Sequence, residues 1–170
     1  YYNKGVLKTI VVEPATIGNG IIQLDESQIQ QKANFFDDNK SNLKLIKFVP
    51  ASGAATRMFK FLNEFLNDFD IKKESINAYI NRKKAGKLSL FIVGLDKFPF
   101  FEEVRETLKK TYPDFDNLES DYKNYYFIKT MLSSEYFNYS NKPKAILPFH
   151  QYKNHIAISI EEHLYECASY

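Results

Sequence analysis

Apolar residues at Leu43, Leu45, Ile46, Phe48 and Val49 make a short run that predicts a buried strand, and the run stops at Pro50. Small residues follow (Ala51, Ser52, Gly53, Ala54, Ala55). Apolar positions then recur at Met58, Phe61, Leu62, Phe65, Leu66 and Phe69, the spacing of an amphipathic helix. Upstream, the β-branched stretch Val6–Val12 predicts a strand, and Pro14–Gly20 a glycine-punctuated loop. Asp25 with Gln28 three positions later has the form of a capping box, opening a helix that runs to about Asp38. Asp37–Asn42 reads as a turn.

Downstream, Ile76, Tyr79 and Ile80 predict a helix over 72–85 closed by Gly86. Leu88–Leu95 is short and continuously apolar, a pattern shared by strands and buried helices. Phe100–Lys110 and Leu118–Leu132 read as helices, the second with Tyr122, Tyr125 and Tyr126 on one side at a spacing that suits packing. Asn138–Asn141 reads as a turn, Ala145–Leu147 as a strand between Pro143 and Pro148, and a helix starts near Ser159. The pattern is α/β at both ends with a mostly helical block, 72–132, between them. Such a long excursion between sheet elements predicts an insertion or cap within one domain spanning 1–170.

Composition narrows the class. Hydrophobic residues at 44% and charged residues at 26% fit a soluble globular protein, and 15 Phe with no Trp predict a phenylalanine-built core. A net charge of +2 without a Lys/Arg stripe gives no sign of a nucleic-acid module. One cysteine, Cys167, excludes an internal disulfide and a multi-cysteine zinc site, and its helical surroundings predict a small core residue. Reduced thiol chemistry and the lack of a long apolar run point to the cytoplasm and away from a membrane. The chain begins at Tyr1 without Met and stops at Tyr170 within a helical pattern, so a piece of a longer protein is expected.

The candidate chemistry lies at the first landmark. Strand, small-residue turn and helix N-terminus together make an anion site: free N–H groups point outward and the helix dipole adds positive charge. Thr56 is placed to cap the helix, and Arg57 offers a planar, permanently charged fork for phosphate oxygens. The plainer alternatives are a turn kept small for packing and an Arg57 that is solvated or paired with a carboxylate. No Gly-Lys-Ser/Thr follows, so this is not a P-loop, and the single Gly53 is not a dinucleotide fingerprint. Ser52 has no evident base partner for a nucleophile. His150 and His155 flank a polar stretch that reads as an exposed turn. The acids between Asp96 and Asp121 lack metal-ligand spacing and read as solvated helix faces.

Two resemblances extend this reading. Thr56-Arg57-Met58, Pro143-Lys144-Ala145-Ile146-Leu147-Pro148 and Glu162-His163 occur in the order found at the start of sugar-phosphate nucleotidyltransferases. The loop here holds Ala54 and Ala55 where those enzymes carry more glycine, and the two motifs stand much farther apart. A closer resemblance covers nearly the whole chain. Pro14–Gly18, Lys47–Ala55, Pro143–Ala145, Pro148-Phe149-His150 and Glu161–Leu164 are similar to the domain-of-unknown-function 4301 family. Its bacterial members are longer and often carry a loose ATPase/kinase label.

The nucleotidyltransferase resemblance implies a Rossmann-like three-layer α/β domain, of which this chain would be the N-terminal part, with the helical block inserted. It implies that Ser52, Gly53, Ala54, Ala55 and Thr56 hold a nucleoside triphosphate. Arg57 would neutralise departing pyrophosphate, and Lys144 would stabilise the phosphoryl group under attack by a small phosphorylated substrate. It further implies Mg²⁺, held by carboxylates later than Tyr170, and a structural role for Glu162 and His163. An ATPase or kinase using the same loop, and a binding or scaffold domain with a degenerate nucleotide site, remain open alternatives.

Overall fold

The computed structural model describes residues 5, 9–49 and 53–169. The chain divides into two compact units, Tyr1–Lys47 and Phe48–Tyr170. In the first, helix α1 (Glu26–Asn39) opens on the expected capping box. The Gln28 N–H donates to Asp25 Oδ1 at 2.8 Å, and the Asp25 N–H donates to Gln28 Oε1 at 3.0 Å. The helix runs on through the expected turn and tightens into a 3-10 turn over Lys40–Asn42. Strands β1 (Thr16–Ile17) and β2 (Gly20–Ile21) make a minimal parallel pair. The bend between them relies on Gly18 and Gly20 at φ 85° and 87°, and a Cβ on Gly20 would stand 3.1 Å from that of Ala15.

Two expected strands are corrected here. Residues 9–12 form no regular element, and 6–8 lie outside the described residues. The segment 43–49 is no strand either. Leu43, Leu45, Ile46 and Phe48 are exposed, and no described segment offers a backbone edge to them. An apolar run becomes a strand only when a neighbouring edge takes its N–H and C=O groups.

The second unit is helical, with one hairpin. Its helices are α2 (Lys60–Asp68), α3 (Ile76–Lys83), α4 (Gly86–Val93), α5 (Phe101–Thr111), α6 (Ser120–Leu132) and α7 (Ser159–Ala168). Strands β3 (Pro148–Gln151) and β4 (Ile156–Ile158) pair antiparallel, with a bulge between Pro148 and His150. Helix α2 packs on α4 and α6, and α5 on α6. The shared core is aromatic. Phe65 is fully buried, its ring 4.6 Å from Phe69, 5.2 Å from Tyr79 and 6.4 Å from Tyr125. Ala55, Phe59 and Leu147 join the same core, so residues beside both landmark motifs pack with the helices of 72–132.

Local chemistry accounts for the boundaries. The ambiguous run at Leu88 is helix α4: Leu88 and Phe91 are buried, while Leu90 and Val93 face out. The start of α3 is held twice. Ser75 Oγ accepts from the Ala78 N–H at 3.2 Å, and Asp121 Oδ2, from α6, accepts from the Ile76 N–H at 2.9 Å. Helix α3 ends earlier than expected, because Lys84 takes the left-handed conformation (φ 53°, ψ 41°) assigned from the sequence to Gly86. Gly86 instead opens α4. A side chain at such a position carries a steric cost that glycine avoids, so Lys84→Gly is expected to stabilise the unit by about 0.5–1 kcal/mol in urea unfolding. Unchanged or lower stability would show that the Lys84 conformation costs nothing.

The expected strand at Ala145–Leu147 is a 3-10 turn over Lys144–Ile146, and pairing begins only at Pro148. The apolar alternation survives, since Ala145 and Leu147 point inward and Ile146 outward. The turn packs beneath α7. Cys167, expected in the core, is exposed, because α7 buries none of its residues fully. The fold is mixed α/β with small sheets. No helix among the described residues is long and apolar enough to cross a membrane.

Candidate functional site

The two landmark motifs meet within the second unit. The Lys144 N–H donates to the Gly53 carbonyl at 3.0 Å, and the Ala55 N–H donates to the Lys142 carbonyl at 3.1 Å. Ala54 and Pro143 thus form an isolated antiparallel bridge. The apolar runs at Leu43–Val49 and Ala145–Leu147 were expected to be strands of one sheet, which is not formed. The contact is made by two hydrogen bonds between otherwise irregular segments.

The 53–57 segment enters α2 differently from the expectation. A 3-10 turn over Ala55–Arg57 precedes the helix, which starts at Lys60, so the small-residue turn does not abut the α-helical N-terminus. Thr56 is not the helix cap. Its hydroxyl donates to the Ser140 carbonyl at 3.1 Å, and Phe59 takes the cap position of α2 with no side-chain hydrogen bond. Ala55 is fully buried and its N–H is held by Lys142, which removes one of the amides expected to hold a triphosphate. Gly53 and Ala54 are exposed, and a Cβ on Gly53 would meet nothing within 4 Å, so space is open in front of that residue. Ser52 lies outside the described residues.

Arg57 and Lys144 stand on the two joined segments, both exposed and without an ion pair among the described residues. Cations left unpaired cost nothing while solvated and stay available to an anion. A third cation, Lys142, lies with its ammonium 5.5 Å from the centroid of the Tyr139 ring. Sequence reasoning did not single out Lys142, although the Lys-Pro-Lys spacing carried the signal. It also passed over Asn63 and Ser140. Asn63 Nδ2 donates to Ser140 Oγ at 3.0 Å, so α2 reaches back to the residue that receives the Thr56 hydroxyl.

Tyr139 is buried beneath the junction, and burial, assisted by the Glu103 charge, pushes its phenol far above the usual tyrosine range. An unfolded phenol titrates near pH 10, so Tyr139 contributes its full stability below that value. As pH rises above about 10 the unfolded state ionises first, and stability falls by up to about 1.4 kcal/mol per pH unit. Alkaline unfolding followed by circular dichroism is expected to be shallower in Tyr139→Phe than in the parent. Identical slopes would show that this phenol does not govern the transition.

The remaining candidates have structural partners. His150 sits in β3 opposite Ala157. His155 stacks on Tyr152 at 4.9 Å, and its carbonyl accepts the Tyr152 N–H, closing the hairpin. Glu162 accepts the Tyr152 hydroxyl at 2.6 Å, tying α7 to that hairpin and raising the phenol's pKa. His163 Nδ1 lies 3.6 Å from Glu166 Oε2. Many acids serve ion pairs: Asp116 with Arg105 and Lys109, Asp70 with Lys73, Asp68 with Lys83. No group of three His, Cys, Asp or Glu among the described residues is arranged to hold a metal ion. The nucleotidyltransferase resemblance places the Mg²⁺ carboxylates later than Tyr170, and the described residues add no ligand set of their own.

A family model, described as a domain of unknown function, matches residues 1–170, the whole chain. The chain belongs to the DUF4301 family. No curated protein and no solved structure matches it. In this DUF4301 chain, Gly53–Ala55 and Pro143–Ala145, two of the segments that carry the family likeness, lie together at the junction.

Proposed function

We propose that the junction of Gly53–Arg57 with Lys142–Lys144 binds the phosphate groups of a nucleoside triphosphate. The observation that supports this is the pair of hydrogen bonds, Lys144 to Gly53 and Ala55 to Lys142, which brings two phosphate-type motifs to one place. Arg57 and Lys144 supply positive charge that has no ion pair among the described residues, and the open faces of Gly53 and Ala54 admit the ligand. The chemistry favoured is nucleotidyl transfer. An oxygen of a small phosphorylated substrate attacks the α-phosphorus, the bond to the β-phosphate oxygen breaks, and pyrophosphate leaves. In that scheme Arg57 holds charge on the departing pyrophosphate and Lys144 holds charge on the phosphoryl group under attack. Both act by position and electrostatics.

The finer fold assignment, a nucleotidyltransferase-like, Rossmann-like domain, belongs to the same proposal. It is supported by the order Thr56-Arg57-Met58 before Pro143-Lys144 and by their meeting. A cytoplasmic setting suits a triphosphate ligand. A second reading, a binding domain without turnover, is favoured by the Ala55 amide, which is buried and held by Lys142. Calorimetric titration with ATP, UTP, GTP and CTP, each with Mg²⁺, tests the shared claim of binding. At least one is expected to bind, and no heat with any of them would overturn the proposal. Products then separate the readings: pyrophosphate marks nucleotidyl transfer, ADP or inorganic phosphate marks ATPase or kinase chemistry, and binding with no product marks the second reading.

A further inference from the structure

The geometry points to Thr56, Asn63 and Ser140 as a positioning clamp that holds the Arg57 segment and the Lys144 segment in the register needed for a phosphate ligand. The inference rests on the nucleotide reading above and adds what sets the spacing of its two cations. Ser140 is buried, and both of its oxygens are engaged by the other motif. Its carbonyl accepts the Thr56 hydroxyl at 3.1 Å, and its hydroxyl accepts from the Asn63 amide at 3.0 Å. Asn63 also donates to the Phe59 carbonyl at 3.3 Å, which fixes its side chain against the first turn of α2. Just beyond the clamp, the chain passes through Lys142 and Lys144, whose backbone groups bond Ala55 and Gly53.

The two backbone hydrogen bonds belong to an isolated bridge, with no ladder around it among the described residues to hold its register. A lone bridge is weak, because each net hydrogen bond contributes only about 1 kcal/mol and the segments on both sides keep their entropy. The side-chain bonds supply the missing constraint. Each has one partner on the Thr56–Asn63 side and the other on Ser140, so slippage of one segment past the other breaks both. Thr56, expected to cap a helix, therefore acts at this site through its hydroxyl and Ser140. Neither Thr56 nor Asn63 needs to touch the ligand for its loss to matter.

The test pairs amide hydrogen exchange, read by nuclear magnetic resonance at Ala55 and Lys144, with calorimetric titration by Mg²⁺-ATP. The chain is compared with its Thr56→Val, Thr56→Ser and Asn63→Leu variants. Valine preserves the shape of threonine without a donor, and serine preserves the donor. Loss of protection at both amides by about tenfold in Thr56→Val and Asn63→Leu is expected, with ATP affinity falling by a similar factor, about the worth of one hydrogen bond. Thr56→Ser is expected to retain both, and melting of the aromatic core is expected to change little. Unchanged exchange in Thr56→Val and Asn63→Leu overturns the clamp, as does a Thr56→Ser variant that behaves like Thr56→Val. Faster exchange with unchanged affinity overturns its positioning role. If the parent chain binds no nucleotide, the functional reading fails, and exchange alone still decides whether the clamp holds the bridge.

Discussion

Replacing Phe65 with Ala is expected to destabilise the second unit by about 3–5 kcal/mol, the range for truncating a fully buried aromatic side chain. Phe65 is inaccessible to solvent and contacts the rings of Phe69, Tyr79 and Tyr125, so α2, α3 and α6 all lose a packing partner at once. No small shift of one helix closes the space, because the rings around it come from α3, α6 and the residue that follows α2. Part of the loss is the aromatic geometry itself, about 0.5–1.5 kcal/mol per pair beyond area. Urea unfolding followed by far-ultraviolet circular dichroism measures the change. A loss under about 1 kcal/mol would mean that this cluster does not hold the helices together.

Removing both Arg57 and Lys144 as Ala is expected to weaken nucleotide binding by up to about a hundredfold, while each single substitution weakens it by about tenfold or somewhat more. A hydrogen bond to a charged group contributes about 1.5–3 kcal/mol, and the lower end applies because both side chains are solvated before the ligand arrives. The double loss is expected to be smaller than the sum if the two cations share one phosphate and larger than either alone in every case. Binding by the parent should weaken as salt rises, since exposed charges are screened over about 8–10 Å at ordinary ionic strength. Thermal stability should hardly move, because neither side chain has an ion pair to lose among the described residues. Equal binding by parent and double variant would remove these cations from the site.

The elements that were legible in the sequence are those whose signals are local. The Asp25/Gln28 capping box marked the start of α1, and the apolar spacing from Phe61 to Phe69 marked α2. Leu118–Leu132 was readable for the same reason, as was the packing role of Tyr125, which now lies against Phe65 and Phe69. The misread positions depend on distant partners. Leu43–Val49 has the composition of a strand, but composition supplies no edge to pair with. Ala145–Leu147 alternates like a strand while its preceding residue, Lys144, spends its N–H on Gly53, and the chain tightens into a 3-10 turn. Lys84 in place of Gly86 at the end of α3 shows a neighbouring helix deciding which residue bears the left-handed conformation.

The meeting of the two motifs was anticipated through resemblance, since spacing alone gives no reason for Gly53 and Lys144 to touch. The details of that meeting were not readable. Thr56 has the side chain of a helix cap, and only the folded chain gives its hydroxyl to Ser140. Asn63 reads as an ordinary polar residue of an amphipathic helix, and only the approach of Ser140 makes it a tether. Lys142 was visible in Lys-Pro-Lys but looked like a neighbour of Lys144, whereas its carbonyl is what secures Ala55.

Amide and side-chain resonances followed during a titration with Mg²⁺-ATP test the location of binding, which is the central claim. The account predicts that the largest shifts fall on the amides of Gly53 and Ala54 and on the side chains of Arg57 and Lys144, and that the Ala55 and Lys144 amides, held by Lys142 and Gly53, move less. Binding whose shifts leave these residues unmoved, or no binding at saturating nucleotide, would contradict it.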